Sequence, residues 1–85
     1  MTAMPATTAA QLAAAIKNRR LELGLSQTQL ARAAGMRQKT VSEFETRPDD
    51  RTLKTLFRLM SALQLELGVG ARPAPDERTT DPDRW

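Results

Sequence analysis

The chain of 85 residues contains no cysteine, no histidine, no tyrosine and only one tryptophan. Without cysteine it forms no disulfide and has no thiolate nucleophile, and without histidine it lacks the usual zinc ligands and the commonest general base. No apolar run approaches the ~18 residues of a membrane-spanning helix, and no secretory leader is recognisable. We therefore expect a cytoplasmic protein that is not an enzyme and that holds neither a metal nor a cofactor.

Charge is distributed unevenly along the chain. Residues 1–72 carry eleven Lys/Arg and six Asp/Glu, a net charge of +5, whereas residues 73–85 carry two and four, a net charge of −2. A basic body with an acidic tail suits a polyanionic partner such as nucleic acid. An ordinary solvated surface is the alternative that charge alone leaves open.

The chain length allows one small domain, which would gain stability from dimerisation. Residues 1–7 include Pro5 and show no apolar periodicity, so we expect them to be frayed. The domain itself should span residues 8–69. Residues 70–85 contain three prolines and mixed charge without a core pattern, which is typical of a disordered tail.

Apolar spacing divides the domain into helices. The first should run from Thr8, in a capping-box sequence, to about Leu23. A second capping box, Ser26-Gln-Thr-Gln29, opens a helix to about Ala34, and a third follows over about residues 38–45. The fourth, over about residues 53–63, has a predicted core stripe of five residues: Leu53, Leu56, Phe57, Met60 and Leu63.

The second and third helices are short and are joined by only a few residues. Gly35 lies in this turn, where a positive φ is expected, and Val41 and Phe44 should point inward from the third helix. Two short helices joined so closely must cross steeply, which is the geometry of a helix-turn-helix.

After the fourth helix the apolar period changes from helical to two. Leu65, Leu67 and Val69 alternate with other residues, which predicts a short strand. Because the chain offers no second strand, the expected partner is the same strand of a second protomer in an antiparallel ribbon. The alternative is an extended loop whose leucines cover the core.

The stretch QTQLARAAGMRQKTVSEFE, residues 27–45, resembles the Xre/Cro-type helix-turn-helix domain through its pattern Q-x-x-L-A-x-x-x-G followed by V-S and F-E. The resemblance covers about residues 9–67 and implies an all-α, lambda-repressor-like bundle of four to five helices plus one short C-terminal strand. In this family an arginine and a glutamate at the places of Arg20 and Glu45 form an ion pair. Two solvated charges are the alternative. Many members also have a glycine two residues after that glutamate, where this chain has Arg47.

The segment FETRPDDRTLKTLFRLMSALQLEL, together with a polar tail ending in Asp-Arg-Trp, is similar to the HipB-type antitoxins. This resemblance implies a homodimer that binds palindromic operator DNA and represses its own operon. It also implies inhibition of a HipA-like serine/threonine kinase toxin in a type II toxin–antitoxin system.

The family's recognition helix matches the start of the third helix here. Gln38 and Lys39 are the first candidates for reading base edges, Gln38 at adenine and Lys39 at guanine O6 and N7. Thr40, Ser42 and Arg37 follow, shared between bases and phosphates. For each of these residues, an ordinary polar surface side chain is the alternative.

Phosphate contacts are expected from Gln27, Thr28 and Arg47, which would set the register of the protein on DNA without reading sequence. Gln27 lies at the start of the second helix, where free backbone N–H groups favour an anion. Glu43 occupies a position where some relatives place a base reader. It would either repel phosphate or accept a hydrogen bond from cytosine N4, and the sequence leaves that open.

Trp85 ends the acidic tail, where the fold has little means to bury it. We expect it to anchor the tail in an apolar pocket of the kinase partner. Docking on its own dimer and an idle aromatic residue are the alternatives.

Two other functions share the predicted fold. A standalone Xre-type repressor would bind DNA without a toxin partner, and a helix-turn-helix adaptor would bind only protein. The cluster of long polar and basic side chains at Arg37-Gln-Lys-Thr40 favours DNA binding over the adaptor.

Overall fold

The computed structural model describes residues 5–72, and this part of the chain contains four α-helices and one turn of 3-10 helix. In chain order the elements are α1 (Ala9–Glu22), α2 (Gln27–Ala34), α3 (Gln38–Thr46), the 3-10 turn (Pro48–Asp50) and α4 (Leu53–Ala62). The predicted all-α helix-turn-helix bundle is thereby confirmed, with four α-helices within the described residues.

Side-chain caps explain where three of the helices begin. The hydroxyl of Thr8 accepts a hydrogen bond from the Gln11 backbone N–H at 3.0 Å, and Thr52 does the same for Thr55 at 3.2 Å. Ser26 forms a complete capping box, because its Oγ accepts from the Gln29 backbone N–H while its own N–H donates to Gln29 Oε1. These bonds satisfy backbone donors that have no partner within the helix.

The turn between α2 and α3 depends on Gly35, which has a φ of +70°. This left-handed conformation ends α2 and is one that L side chains rarely adopt. Arg37, the residue before α3, is already in the extended region and accepts the first backbone bond of α3 from Thr40. The turn therefore brings the start of α3 close behind the end of α2.

The core lies among all four helices, and its central residues come from each of them. Ala31 on α2 is 2% exposed, so a small side chain occupies the crowded interior next to the turn. The buried apolar residues are Ala13, Ile16, Leu30, Ala31, Val41, Phe44, Leu56, Leu59, Met60 and Leu63. This core holds α3 by its inner face and leaves the outer face uncovered.

The predicted core stripe of α4 is wrong at two positions. Leu53 is 68% exposed and Phe57 is 50% exposed, whereas Leu59, which the stripe omitted, is fully buried. The buried arc of α4 is centred between Leu59 and Met60, and at about 100° per residue Phe57 falls on its flank. Leu23, where the first helix was expected to end, lies just past the last residue of α1 and is 42% exposed.

Residues 65–69 form no strand in the single chain that the structure describes. Leu65 packs against the core and its N–H donates to the carbonyl of Met60 at 2.8 Å, whereas Leu67 and Val69 are exposed. A single protomer offers this segment no partner strand, so the intermolecular ribbon of Leu65, Leu67 and Val69 remains a prediction. The predicted frayed start and disordered tail fall largely on residues 1–4 and 73–85, outside the described residues.

Candidate nucleic-acid interface

The first turn of α3 projects from the surface of the domain. Arg37, Gln38 and Lys39 are exposed, and the side chain of Lys39 keeps 84% of its area accessible. Thr40 and Ser42 are half-buried at the edges of the same helix. The structure therefore brings the five candidate base readers together, four on α3 and Arg37 directly before it, with Arg37, Gln38 and Lys39 the most accessible of them.

The candidate phosphate ligands are divided between two places. Gln27 and Thr28 are the first two residues of α2, where backbone N–H groups have no acceptor within the helix. Thr28 is exposed, and so is Arg47, which follows the last residue of α3. An extended DNA backbone could meet contacts at both ends of α3, but these three residues do not form a single pocket.

The side chain of Gln27 is engaged by protein atoms at both ends. Its Oε1 accepts a hydrogen bond from Gln38 Nε2 at 2.6 Å, and its Nε2 donates to Glu45 Oε1 at 3.0 Å. Any phosphate contact at this position would therefore fall mainly to the backbone N–H. The sequence analysis did not predict this bridge. Gln27, Gln38 and Glu45 are far apart along the chain, and only the packing of α2 against α3 brings their side chains into contact.

Glu45 forms a buried, bidentate ion pair with Arg20. Arg20 Nε donates to Glu45 Oε2 at 2.8 Å and Arg20 Nη2 to Glu45 Oε1 at 3.0 Å, while Nη1 donates to the carbonyl of Leu25 at 2.9 Å. The two side chains are 9% and 3% exposed. Such a pair fixes the register of the helices that carry it more than it adds to stability, and here it joins α1 to the end of α3.

Glu43 has a charge partner that the sequence did not indicate. Arg51, just after the 3-10 turn, donates from Nη1 to Glu43 Oε2 at 2.6 Å, and Lys39 Nζ lies 3.9 Å from the other carboxylate oxygen. The 3-10 turn reverses the chain after α3 and so brings Arg51 back beside Glu43. No periodic pattern in the sequence predicts this reversal. A phosphate group that approaches α3 therefore meets a carboxylate already neutralised by arginine.

An open cleft along the outer face of α3 is predominantly basic. Lys39, Arg47 and Arg51 supply three cations against the single carboxylate of Glu43. Its complete lining is Lys39, Ser42, Glu43, Thr46, Arg47 and Arg51. Such a surface attracts a polyanion along the length of the helix.

Two other kinds of site are not found in the described part of the chain. Across residues 5–72, no group of three or more Asp, Glu, His or Cys side chains is placed to hold a metal ion. None of the described helices has both the length and the apolar character needed to cross a membrane.

Comparison with protein families places most of the chain in one of them. The family model described as helix-turn-helix (HTH_3) matches residues 16–69. Antitoxin HipB of Escherichia coli strain K12 is 40% identical over 70 residues, which cover 81% of this chain and 80% of that protein. Antitoxin HipB of Escherichia coli O6:H1 is 40% identical over 57 residues, covering 67% of this chain and 61% of that protein.

Solved structures agree with this placement. The HipA–HipB–O2–O3 complex contains a chain with a TM-score of 0.80 and 34% identity, covering 84% of this chain and 100% of that one. The HipB–O4 20mer complex gives the same TM-score, identity and coverage. The sequence relatives, the family model and the shared architecture lead to one conclusion: the chain belongs to the helix-turn-helix family and, within it, to the HipB antitoxins.

Proposed function

We propose that the chain is a sequence-specific DNA-binding repressor and the antitoxin of a type II toxin–antitoxin system. The observation that carries this proposal is the exposed start of α3, where Arg37, Gln38 and Lys39 lie beside the first turn of α2. Related solved structures hold HipB with a 20mer designated O4 and with O2–O3, which we interpret as operator DNA.

In the proposed complex α3 enters the major groove. Gln38 reads adenine and Lys39 reads guanine, while Thr40, Ser42 and Arg37 contact neighbouring bases or phosphates. Backbone N–H groups of Gln27 and Thr28, and the guanidinium of Arg47, contact phosphates on either side. In this arrangement only a few side chains of α3 recognise bases, and the phosphate contacts on either side fix the position of the protein along the DNA.

The repressor would act as a homodimer on a palindromic site. The exposed apolar side chains of Leu53, Phe57, Leu67 and Val69 are surfaces that a second protomer could cover, and the ribbon of residues 65–69 would pair across the two-fold axis. Two recognition helices related by that axis should reach half-sites about 34–36 Å apart.

The proposed protein partner is a HipA-like serine/threonine kinase toxin. HipA is named with HipB in one of the similar structures. The chain would neutralise the kinase while repressing the operon that encodes both proteins. Trp85, which lies outside the described residues, is the proposed anchor in the kinase. The activity is thus binding and not catalysis, and its DNA target implies a cytoplasmic, nucleoid-associated location.

An electrophoretic shift assay tests the DNA-binding part. The purified protein should retard a duplex from upstream of its own gene more strongly than a shuffled duplex of equal length. Affinity should fall steeply with salt, because binding releases counterions from the phosphates. Retardation of neither duplex would refute the proposal and favour a protein-interaction adaptor, whereas equal retardation of both would refute sequence specificity.

Co-purification separates the antitoxin from a standalone repressor. The tagged protein should retain a kinase-like product of the adjacent reading frame when the two are co-expressed, and should suppress its kinase activity. A protein that binds its operator but neither retains nor inhibits that kinase would be a repressor without a toxin.

A further inference from the structure

Three charged side chains meet at the outer face of α3, two from that helix and one from the segment that follows it. Arg51 Nη1 donates to Glu43 Oε2 at 2.6 Å, and Lys39 Nζ lies 3.9 Å from Glu43 Oε1. Lys39 and Glu43 are four residues apart and therefore share one face of the helix. The exposed fraction of the side chain falls from 84% for Lys39 to 36% for Glu43 and 27% for Arg51. The lysine and the carboxylate are thus the groups that a ligand meets first.

The two carboxylate oxygens of Glu43 are not equivalent. Oε2 is occupied by Arg51, whose guanidinium stays charged in proteins and can only donate. Oε1 is 3.9 Å from Lys39 Nζ, which is beyond hydrogen-bond distance, so this oxygen can accept a bond from a ligand. Arg51 also offsets the negative charge of Glu43 and so lowers its repulsion of DNA phosphates. The pairing therefore fixes the carboxylate and leaves one acceptor available beside the ammonium group of Lys39.

A donor beside an acceptor matches the major-groove edge of a single base pair. Guanine O6 and cytosine N4 are hydrogen-bonded to each other in a G·C pair, so an acceptor and a donor lie about 3 Å apart there. Lys39 can donate to guanine O6 and N7 while Glu43 Oε1 accepts from cytosine N4.

The other base pairs fit this arrangement less well. A T·A pair presents thymine O4 and adenine N6 in the same order, but the ammonium gains one acceptor instead of two, and the carboxylate meets the additional acceptor adenine N7. The reversed pairs, C·G and A·T, place donor against donor and acceptor against acceptor. The arrangement therefore discriminates both the kind of pair and its orientation.

We propose that Lys39 and Glu43 together read one G·C base pair, and that Arg51 is the positioning residue which holds Glu43 for its contact with cytosine. The inference rests on the proposed binding of α3 in the major groove. It gives Glu43, whose role the sequence leaves open, the part of an acceptor toward cytosine N4. It also separates the half-buried Arg51 from the exposed Arg47, which remains a proposed phosphate contact.

Substitution of Glu43 by glutamine tests the inference with a side chain of the same shape. The amide must turn its oxygen to the Arg51 donor, so an NH2 group replaces the available Oε1 and meets cytosine N4 as donor against donor. A library of duplexes with a randomised central region first defines the site of the full-length wild-type protein, and Lys39→Met identifies the base pair that Lys39 reads. Four duplexes that differ only at this pair then measure preference. Wild-type protein should favour G·C over C·G by roughly 5–150-fold, and Glu43→Gln should lower this ratio at least about fivefold.

Substitution of Arg51 by methionine tests the positioning role directly. It removes the donor that holds Glu43, so the G·C preference should fall at this base pair and stay unchanged at the other pairs of the site. In the double variant Glu43→Gln, Arg51→Met the amide can turn either way, so the ratio should recover in part relative to Glu43→Gln alone. A merely structural role of Arg51 would not produce that recovery.

Arg47→Met is the matched control, because it removes a neighbouring cation of the same cleft. It should weaken all four duplexes alike and keep their ratio, as expected of a phosphate contact. Thermal unfolding checks that each variant is folded.

The outcomes separate this inference from the proposed function. If the library yields no enriched sequence for the wild-type protein, sequence-specific DNA binding fails and this inference with it. If the wild type is specific but prefers another pair at the position read by Lys39, or if Glu43→Gln keeps the G·C preference, joint reading is overturned. If Arg51→Met weakens all four duplexes equally, Arg51 is a phosphate contact and its positioning role is overturned. Loss of the preference in Glu43→Gln and in Arg51→Met, with Arg47→Met keeping it, supports the inference.

Discussion

Removing one member of the buried ion pair should destabilise the domain far more than removing both. Glu45→Leu takes away the carboxylate that accepts two bonds from Arg20, whose side chain is only 9% exposed. Arginine stays charged in proteins, so its guanidinium would be left largely buried without a counter-charge. Gln27 would lose an acceptor at the same time.

The expected magnitude follows from comparing this loss with the stability of the whole domain. Breaking a buried pair by removing one partner costs about 3–5 kcal/mol. A chain of 85 residues has a free energy of unfolding of about 4–13 kcal/mol, at about 0.05–0.15 kcal/mol per residue. Glu45→Leu should therefore lose a large share of the free energy of unfolding, and it should be unfolded if the wild type lies at the lower end of this range.

The double variant Arg20→Met, Glu45→Leu should recover most of that loss. Well-packed apolar residues in place of a buried pair are often neutral or stabilising. The carbonyl of Leu25 loses the bond from Arg20 Nη1, and this costs about 1 kcal/mol at most if water replaces the donor. We therefore expect the double variant within about 1–2 kcal/mol of the wild type.

Urea unfolding followed by far-ultraviolet circular dichroism measures this cycle on the wild type, the two single variants and the double variant. If Glu45→Leu loses less than about 1 kcal/mol, the pair behaves like an exposed surface pair and the reasoning from burial is refuted.

Three other substitutions or deletions have definite expected outcomes. Lys39→Ala should weaken operator binding by about 1–3 kcal/mol and relax base preference in shift assays, and unchanged affinity and specificity would exclude Lys39 as a base reader. Gly35→Ala should lower the free energy of unfolding by about 1–2 kcal/mol, because φ at this residue is +70°; a midpoint equal to that of the wild type would contradict the strain argument. Deleting Asp83-Arg-Trp85 should leave operator binding intact and weaken kinase binding, and a pull-down that retains the kinase equally well would remove the anchor role of Trp85.

Local rules made much of the fold predictable from sequence. The caps at Thr8 and Ser26 and the turn at Gly35 depend on residues within four positions of one another, so the sequence contains all the partners. The helical period of α4 was also predictable from sequence, but the residues of α4 that are buried were not all predictable. Periodicity shows that a helix has an apolar face, whereas Phe57 is exposed because the surrounding helices cover only part of that face.

The candidate site was predictable as a set of residues but not as a set of contacts. Gln38 and Lys39 lie on the accessible turn of α3, where the helix-turn-helix pattern put them. The bond from Gln38 to Gln27 crosses 11 positions, and the pair of Arg51 with Glu43 depends on the path of the 3-10 turn. Contacts of this kind are set by how the helices pack, and no motif in the sequence encodes them.

The two carboxylates of α3 raise an electrostatic question, since a helix that binds a polyanion should not present negative charge. Glu45 is neutralised by Arg20 from α1, and Glu43 by Arg51 from the segment before α4. Each carboxylate therefore attaches α3 to a different part of the domain, and its charge is compensated where the attachment is made. Because the core holds α3 by its inner face, these two pairs supply lateral constraints that packing alone does not. A recognition helix held in this way keeps its side chains in a defined geometry before DNA arrives, which is what selective base reading requires.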